Sequence, residues 1–170
     1  MIHRPKQVII VAAVADGLII GNKGKIPWWD DDELRREDMR HFRALTLEKP
    51  VIIGHTTFRT IGKLLPDRTN IIISRRDNLR IPGASVCNDC DTALFVGHTF
   101  HDEVYVIGGG QVYTDMIRCA TRLEMTEIHG RYDGDTTFPP YKGTGEWCEV
   151  ARNDLKGFSF VTYARHQAIP

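Results

Sequence analysis

Val8 to Ala15 is an unbroken apolar run, and a run of this kind reads as a β-strand covered on both faces. Pro50 to Gly54, Asn70 to Ser74 and Glu103 to Ile107 repeat the signature in shorter form and predict further core strands. Between the first two runs, Leu34, Asp38, Phe42 and Leu45 recur at helical spacing, on one face of a helix from about Asp32 to Leu47. Asp30 to Glu33 place acid in its first turn, where the helix dipole favours negative charge. His55 to Lys63, Asp91 to Phe100 and Gln111 to Arg118 read as shorter helices. Asp16 to Trp29, with Gly17, Gly21, Gly24 and Pro27, reads as a long loop. Arg122 to Arg131, Glu146 to Ala151 and Gly157 to His166 alternate like antiparallel strands closed by a hairpin. Strand and helix alternate first, and strands then follow alone. The expected class is α/β: a single mixed, mostly parallel twisted sheet with an antiparallel C-terminal edge and helices on both faces.

Length changes this picture little: 170 residues without repeat or linker suit one domain spanning 1–170. Lys and Arg total 22, as do Asp and Glu, so no global field favours nucleic acid or an anionic membrane. Any bound anion must be held by a local cluster. At the N-terminus, His3-Arg4-Pro5-Lys6 precedes the first apolar run, and Ala13-Val14-Ala15 imitates a leader-cleavage site. Only Val8 to Ala12 lie before that site, too few for a leader's apolar segment, so a buried strand is the better reading. No run is long enough for a membrane-spanning helix, and reduced cysteines are expected in a cytoplasmic protein. Cys87-x2-Cys90 and His98-x2-His101 imitate a zinc site, but the gap between the pairs is short for a finger and coincidence is favoured.

Ligands of open α/β sheets bind beyond the carboxyl ends of the strands. Here those ends meet Gly54-His55-Thr56-Thr57, Ser74-Arg75-Arg76 and Gly108-Gly109-Gly110. The first and third run straight into helices, so free backbone N–H groups could face a phosphorylated ligand. Helix capping by Thr56 and Ser74 is the simpler alternative. The glycine triplet is not the dinucleotide fingerprint, because Tyr113 stands where its third glycine belongs. Asp38 sits on the apolar stripe of its helix, where an ionised carboxylate is costly unless paired. Two readings stay open for it: an acid paired with Arg35 or Arg36 or turned to solvent, or an acceptor for a nitrogen-rich ring.

Taken in order, the motifs resemble the dihydrofolate reductase family. They are Ile20-Gly21, Ile26-Pro27-Trp28, Asp38-x3-Phe42, Pro50-Val51-Ile52-Ile53-Gly54-x2-Thr57-Phe58 and Leu65-Pro66-x-Arg68-x-Asn70. Val106-Ile107-Gly108-Gly109-Gly110-x2-Tyr113, Thr126-Glu127-Ile128 and Gly134-Asp135-Thr136-x-Phe138-Pro139 complete the set. The resemblance implies NADPH-dependent reduction of dihydrofolate to tetrahydrofolate, with protonation at N5, supporting one-carbon and thymidylate synthesis. It implies that Asp38 binds the pterin and promotes that protonation, with Trp28 and Thr126 holding a water and the carboxyl. Tyr113 would lie close to the reacting rings. Val11, Ala12, Met39, Phe42, Ile61, Leu65 and Ile107 would form the apolar pocket, and Arg68 would bind the substrate's glutamate α-carboxylate. For NADPH it implies Ala13 and Ile20 at the nicotinamide, and Gly54, His55, Thr56, Thr57, Gly109, Gly110 and Gln111 at the pyrophosphate. Ser74, Arg75 and Thr136 belong to the same cofactor set, the Gly108-Gly109 bond is expected cis, and Asp16 to Trp29 resembles a loop that closes over the nicotinamide. A monomer without metal is implied.

This chain departs from the family pattern twice. His55 and Thr56 stand where many members carry bases that grip the cofactor phosphates, so Arg75 and Arg76 are expected to supply that charge. Extra residues between Trp28 and Asp38, including Trp29 and Asp30-Asp31-Asp32, lie at the expected mouth of the site. Two rivals are a reductase of a pyrimidine intermediate in riboflavin synthesis and a catalytically silent nucleotide-binding module. Pro27-Trp28 and Asp38-x3-Phe42 speak for the pterin, and the joint presence of Trp28, Asp38, Arg68 and Tyr113 speaks against silence.

Overall fold

The computed structural model describes residues 5–166; His3 and Arg4, part of the basic N-terminal stretch, lie outside them. In chain order the elements are β1 (Gln7–Asp16), β2 (Ile19–Gly21), α1 (Asp32–Thr46), β3 (Pro50–Gly54), α2 (His55–Ile61), β4 (Thr69–Ile73) and β5 (Ala84–Cys87). They continue as α3 (Cys90–Phe100), β6 (Glu103–Val106), α4 (Gly110–Met116), a 3-10 turn (Ile117–Cys119), β7 (Arg122–Arg131), β8 (Thr136–Thr137), β9 (Trp147–Leu155) and β10 (Phe158–Arg165). The main sheet runs β5-β4-β3-β6-β1-β7-β10-β9. Pairings from β5 to β7 are parallel, and β7-β10-β9 is antiparallel. This is the mixed sheet expected from the order of strands and helices.

Alternation along β1 distributes the core. Val8, Ile10, Ala12 and Val14 pack with Ala93 of α3 and with Val112 and Met116 of α4. Ile9 and Val11 point to the opposite face, against Phe42 and Leu45 of α1. Helices thus cover both faces, and the central strands are apolar throughout because neither face meets water. The extra residues before α1 cap it: the Asp31 carboxylate accepts a hydrogen bond from the Leu34 N–H at 3.0 Å, satisfying one of the free donors of the first turn.

The structure corrects the expected elements in three places. Asp16 to Trp29 is not loop throughout, because β2 pairs antiparallel with β8, Ile19 opposite Thr137 and Gly21 opposite Thr136. Segments this short carry no period to read. β5, Ala-Ser-Val-Cys, went unexpected because its small and polar residues lack the branched apolar signature of its neighbours. β9 continues past Ala151 to Leu155 as an exposed edge strand, whose charged residues hide the pattern. The Cys-Cys and His-His pairs do not converge. Cys90 opens α3 and His98 lies in its last turn, about 12 Å apart along the axis. Among the described residues no group of three or more His, Cys, Asp or Glu is gathered to hold a metal. No helix among them is long and apolar enough to cross a membrane.

Glu127 ties the antiparallel edge together. Its carboxylate accepts hydrogen bonds from the hydroxyls of Tyr141 at 2.9 Å and Tyr163 at 2.7 Å, and meets Lys142 at 2.8 Å and Arg152 at 3.3 Å. Burial alone would raise its pKa, but the hydrogen bonds from Lys142, Tyr163 and Tyr141 outweigh burial and hold the carboxyl below its usual range. A depressed folded pKa means stability present above the unfolded value of about 4.3 and lost as pH falls through the folded one. Glu127→Gln is therefore expected to destabilise the protein at pH 7 by about 1–3 kcal/mol. Urea unfolding at pH 7 and pH 3 checks this: the gap between variant and wild type should shrink at the lower pH.

Candidate functional site

Because β1, β3, β4, β6 and β7 are parallel, their carboxyl ends gather on one edge of the sheet. A cleft of about 2460 Å³ opens there. Val11, Ala12 and Ala13 in the second half of β1 line it, with Ile20 of β2 and Trp28. Asp38, Met39 and Phe42 of α1 form one wall together with Ile61, Leu65 and Ile107. Gly54 to Thr57, Ser74, Arg75, Gly108 to Gln111 and Thr136 form the other. Met39 and Ile61 are more exposed than a closed apolar pocket requires, at 42% and 41%, and so belong to the mouth. Arg68 alone of the expected residues stands outside the lining. Its guanidinium lies 5.8 Å from the Phe42 ring centre, and it donates from Nε to Thr46 Oγ1 at 3.0 Å and from Nη1 to the Pro66 carbonyl at 2.8 Å. These contacts hold it beside the apolar wall.

Asp38 reaches the site across the gap between helix and sheet, half-buried and without an arginine partner among the described residues. The Thr126 hydroxyl on β7 donates to its Oδ1 at 2.6 Å. Burial raises the Asp38 pKa, and the Thr126 hydrogen bond offsets that rise only in part. Such a carboxyl holds a proton at a pH where a surface aspartate does not. Trp28 is buried, packed edge-on to Tyr132 at 5.5 Å, and its Nε1–H has no hydrogen-bond partner among the described residues. A buried unpaired donor is costly, by about 1–3 kcal/mol, and this one lies at the cleft, where a polar atom of a ligand or a water would satisfy it. Tyr113 donates to the Val11 carbonyl at 2.7 Å and rests on Phe138 at 5.0 Å between ring centres. Burial, and then the nearby Asp38, push its hydroxyl pKa up, so it serves as a neutral donor.

The opposite wall offers backbone rather than side chains. The Gly108-Gly109 peptide is cis, and the Gly54 N–H donates to the Gly108 carbonyl at 2.7 Å. Gly54 and Gly109 cap α2 and α4, and neither cap has a side-chain hydrogen bond. Capping by Thr56 or Ser74 is therefore not what these residues do; Ser74 Oγ instead accepts from the Arg76 N–H at 3.3 Å. Among the described residues no side chain caps either first turn, so its N–H groups are placed for an anion, and a Cβ on Gly110 would come within 2.8 Å of Thr136. The cleft suits a dinucleotide phosphate, with a narrow backbone cradle in the middle and Arg75 and Arg76 at one end.

Sequence reasoning missed several residues of the cleft: Lys23, His41, Arg59 and Arg118. Arg59 stands one turn beyond His55 on α2 and could have been found from that spacing. Arg118 and Lys23 arrive through tertiary folding. The segment carrying Lys23 is tied down by the Lys23 N–H to Asp135 Oδ2 at 2.9 Å and by the Phe138 N–H to the Leu18 carbonyl at 2.8 Å.

An acid whose pKa is raised by burial faces an apolar floor, helix-start amides line the cleft further along, and this division of one cleft suits a dinucleotide-dependent reductase. Comparison with known proteins narrows the class. The family model described as dihydrofolate reductase matches residues 7–165. The chain belongs to the dihydrofolate reductase family. It is 39% identical to dihydrofolate reductase type 3 of Salmonella typhimurium, over 94% of this chain and 99% of that protein. It is 37% identical to dihydrofolate reductase HdrB of Haloferax volcanii, over 95% of this chain and 84% of that protein. Among solved structures it resembles dihydrofolate reductase from Enterococcus faecalis complexed with NADP(H), with a TM-score of 0.82 and 26% identity, covering 95% and 97% of the two chains.

Proposed function

We propose that this protein reduces dihydrofolate to tetrahydrofolate with NADPH, on the residues that line the cleft. The observation that carries the reading is Asp38, an acid of raised pKa held by Thr126 under the unpartnered indole N–H of Trp28. When bound, NADPH supplies the hydride. Asp38 binds the pterin's 2-amino group and N3, and promotes the protonation of N5. Trp28 donates to a water, or to the ligand itself, and orients it. Tyr113 is fixed through Val11 and packs against the reacting rings. Val11, Phe42 and Leu65 exclude water from the substrate rings, which strengthens every electrostatic contact at the acid. Arg68 has Nη2 left for a carboxylate at the mouth, where a planar fork orients as well as attracts.

Gly54 to Thr57 and Gly109 to Gln111 hold the pyrophosphate through backbone N–H groups, and Ser74 and Arg75 the adenosine phosphate. Arg75→Ala is expected to raise KM for NADPH about tenfold, the loss of one charge-assisted contact at an exposed site. Its effect on KM for NADH should stay within about twofold. Equal effects on both cofactors would remove Arg75 from the phosphate. The reading also takes one chain as one domain and as the working unit, a monomer in the cytoplasm that binds no nucleic acid.

Loss of nicotinamide absorbance on adding dihydrofolate tests the function directly. No turnover would defeat it, and turnover of a pyrimidine substrate in place of dihydrofolate would favour the riboflavin-pathway rival.

A further inference from the structure

The helix that carries Asp38 presents a second titratable ring to the same cleft. His41 lies one turn further along α1, half-buried, where it lines the wall with Met39 and Phe42. Its imidazole stacks on Phe160 of β10, with ring centres 3.9 Å apart and planes 25° from parallel. Phe160 is the register partner of Thr126 in the β7–β10 ladder, so both side chains leave the same face of the sheet. α1 therefore meets the sheet at two neighbouring points: Asp38 on Thr126 and His41 on Phe160. Their i, i+3 spacing keeps the two Cβ atoms roughly 5–6 Å apart.

We propose that His41 is a positioning residue for the reduction: its uncharged ring, packed on Phe160, holds Asp38 against Thr126 and sets the pH range in which Asp38 keeps its proton. The inference rests on the reductase reading above. Behind the ring a second cavity of about 570 Å³ separates α1 from the sheet. The charged groups lining it are Glu37 and Arg40 from α1, Glu124 from β7 and Arg152 from β9, whose guanidinium turns to Glu127 on the other face of the sheet, while Asp38 faces His41 from the cleft. Each of the four is paired: Glu37 with Arg40 at 2.5 Å, Glu124 with Arg122 at 2.9 Å, and Arg152 with Glu149 at 2.8 Å. With those charges matched locally, burial decides, and it pulls the imidazole below its usual range. A neutral ring leaves the Asp38 pKa where burial has raised it. An imidazolium one turn away would stabilise the carboxylate and release that proton.

Two substitutions push in opposite directions. His41→Phe keeps the stack and removes the charge for good, while His41→Arg keeps a planar group over Phe160 and makes the charge permanent. The probes are NMR titration of isotope-labelled aspartate carboxyls in the free protein, and the pH profile of hydride transfer with dihydrofolate and NADPH. Both midpoints for Asp38 are expected to fall by about one pH unit in His41→Arg and to stay at or slightly above wild type in His41→Phe. The wild-type carboxyl signal should show a second step where His41 takes up its own proton, and that of His41→Phe should be monophasic. Identical midpoints and curve shapes in wild type and His41→Phe would overturn the proposal, even if His41→Arg failed to fold or thermal stabilities differed. The NMR titration needs no turnover, so a wild type inactive on dihydrofolate would defeat the reductase reading separately.

Discussion

Asp38→Asn is expected to slow hydride transfer to dihydrofolate at pH 7 by roughly a hundred- to ten-thousand-fold, the usual worth of a positioned acid or base. Asparagine keeps the size and one acceptor for Thr126 but has no proton to hold. Its amide donors also face the wrong way for the pterin's amino group. The same change is expected to raise Tm at neutral pH. Burial raises the Asp38 pKa in the folded protein, above an unfolded value of about 3.9. Between those two values the folded state binds more protons than the unfolded one, so stability falls as pH rises through the window. Above it, a carboxylate in apolar surroundings is a standing cost that asparagine does not carry. Near pH 3 both states are protonated and the advantage of the variant should vanish. Single-turnover kinetics and thermal melts at pH 7 and pH 3 check the pair of effects. Undiminished hydride transfer would remove Asp38 from the proton's path, and an unchanged or lowered Tm at pH 7 would contradict the burial argument.

Gly108→Ala should damage fold and function together. Gly108 has φ +115°, where side chains rarely follow, and an added Cβ would come within 3.0 Å of the Tyr113 hydroxyl and 3.1 Å of its ring. Backbone strain of about 1–3 kcal/mol joins overpacking of about 1–3 kcal/mol. For a chain of this length the sum lowers Tm by roughly 5–20 °C. Tyr113 cannot move away without breaking its hydrogen bond to the Val11 carbonyl, so the floor beneath the reacting rings shifts as well. Activity per folded molecule, measured well below the variant's Tm, should fall at least tenfold by analogy with other displaced positioning groups. A variant that melted like wild type and kept its rate would show that the glycine at this position is dispensable.

Much of this architecture was legible from hydrophobic pattern alone. The apolar runs at Val8 to Ala15, Pro50 to Gly54 and Glu103 to Ile107 had to be central strands, because nothing else buries both faces of so short a segment. The spacing of Leu34, Asp38, Phe42 and Leu45 likewise placed Asp38 on the buried face of its helix. Failure came where local signal was absent. β2 and β8 are too short to show a period, β5 is an edge strand of small and polar residues, and β9 hides its strand behind edge charges. Nearly all of the residues in the motif set line one cleft, with Arg68 beside its apolar wall, yet the motifs gave no hint of His41 or Arg118.

By itself, then, the sequence determined which segments are buried, which residue types face the strand ends, and that an acid sits where water is scarce. Those are consequences of periodicity, and periodicity is local. Only the tertiary structure decided whether Asp38 met an arginine, solvent or Thr126, whose hydroxyl comes from a strand 88 residues along the chain. It also decided that the glycine-capped helices keep their first amides free, and that His41 stacks on Phe160 beside the acid. A pKa depends on what lies within a few ångströms in every direction, and those neighbours are set by how α1 packs on β7 and β10 rather than by the residues on either side in the chain.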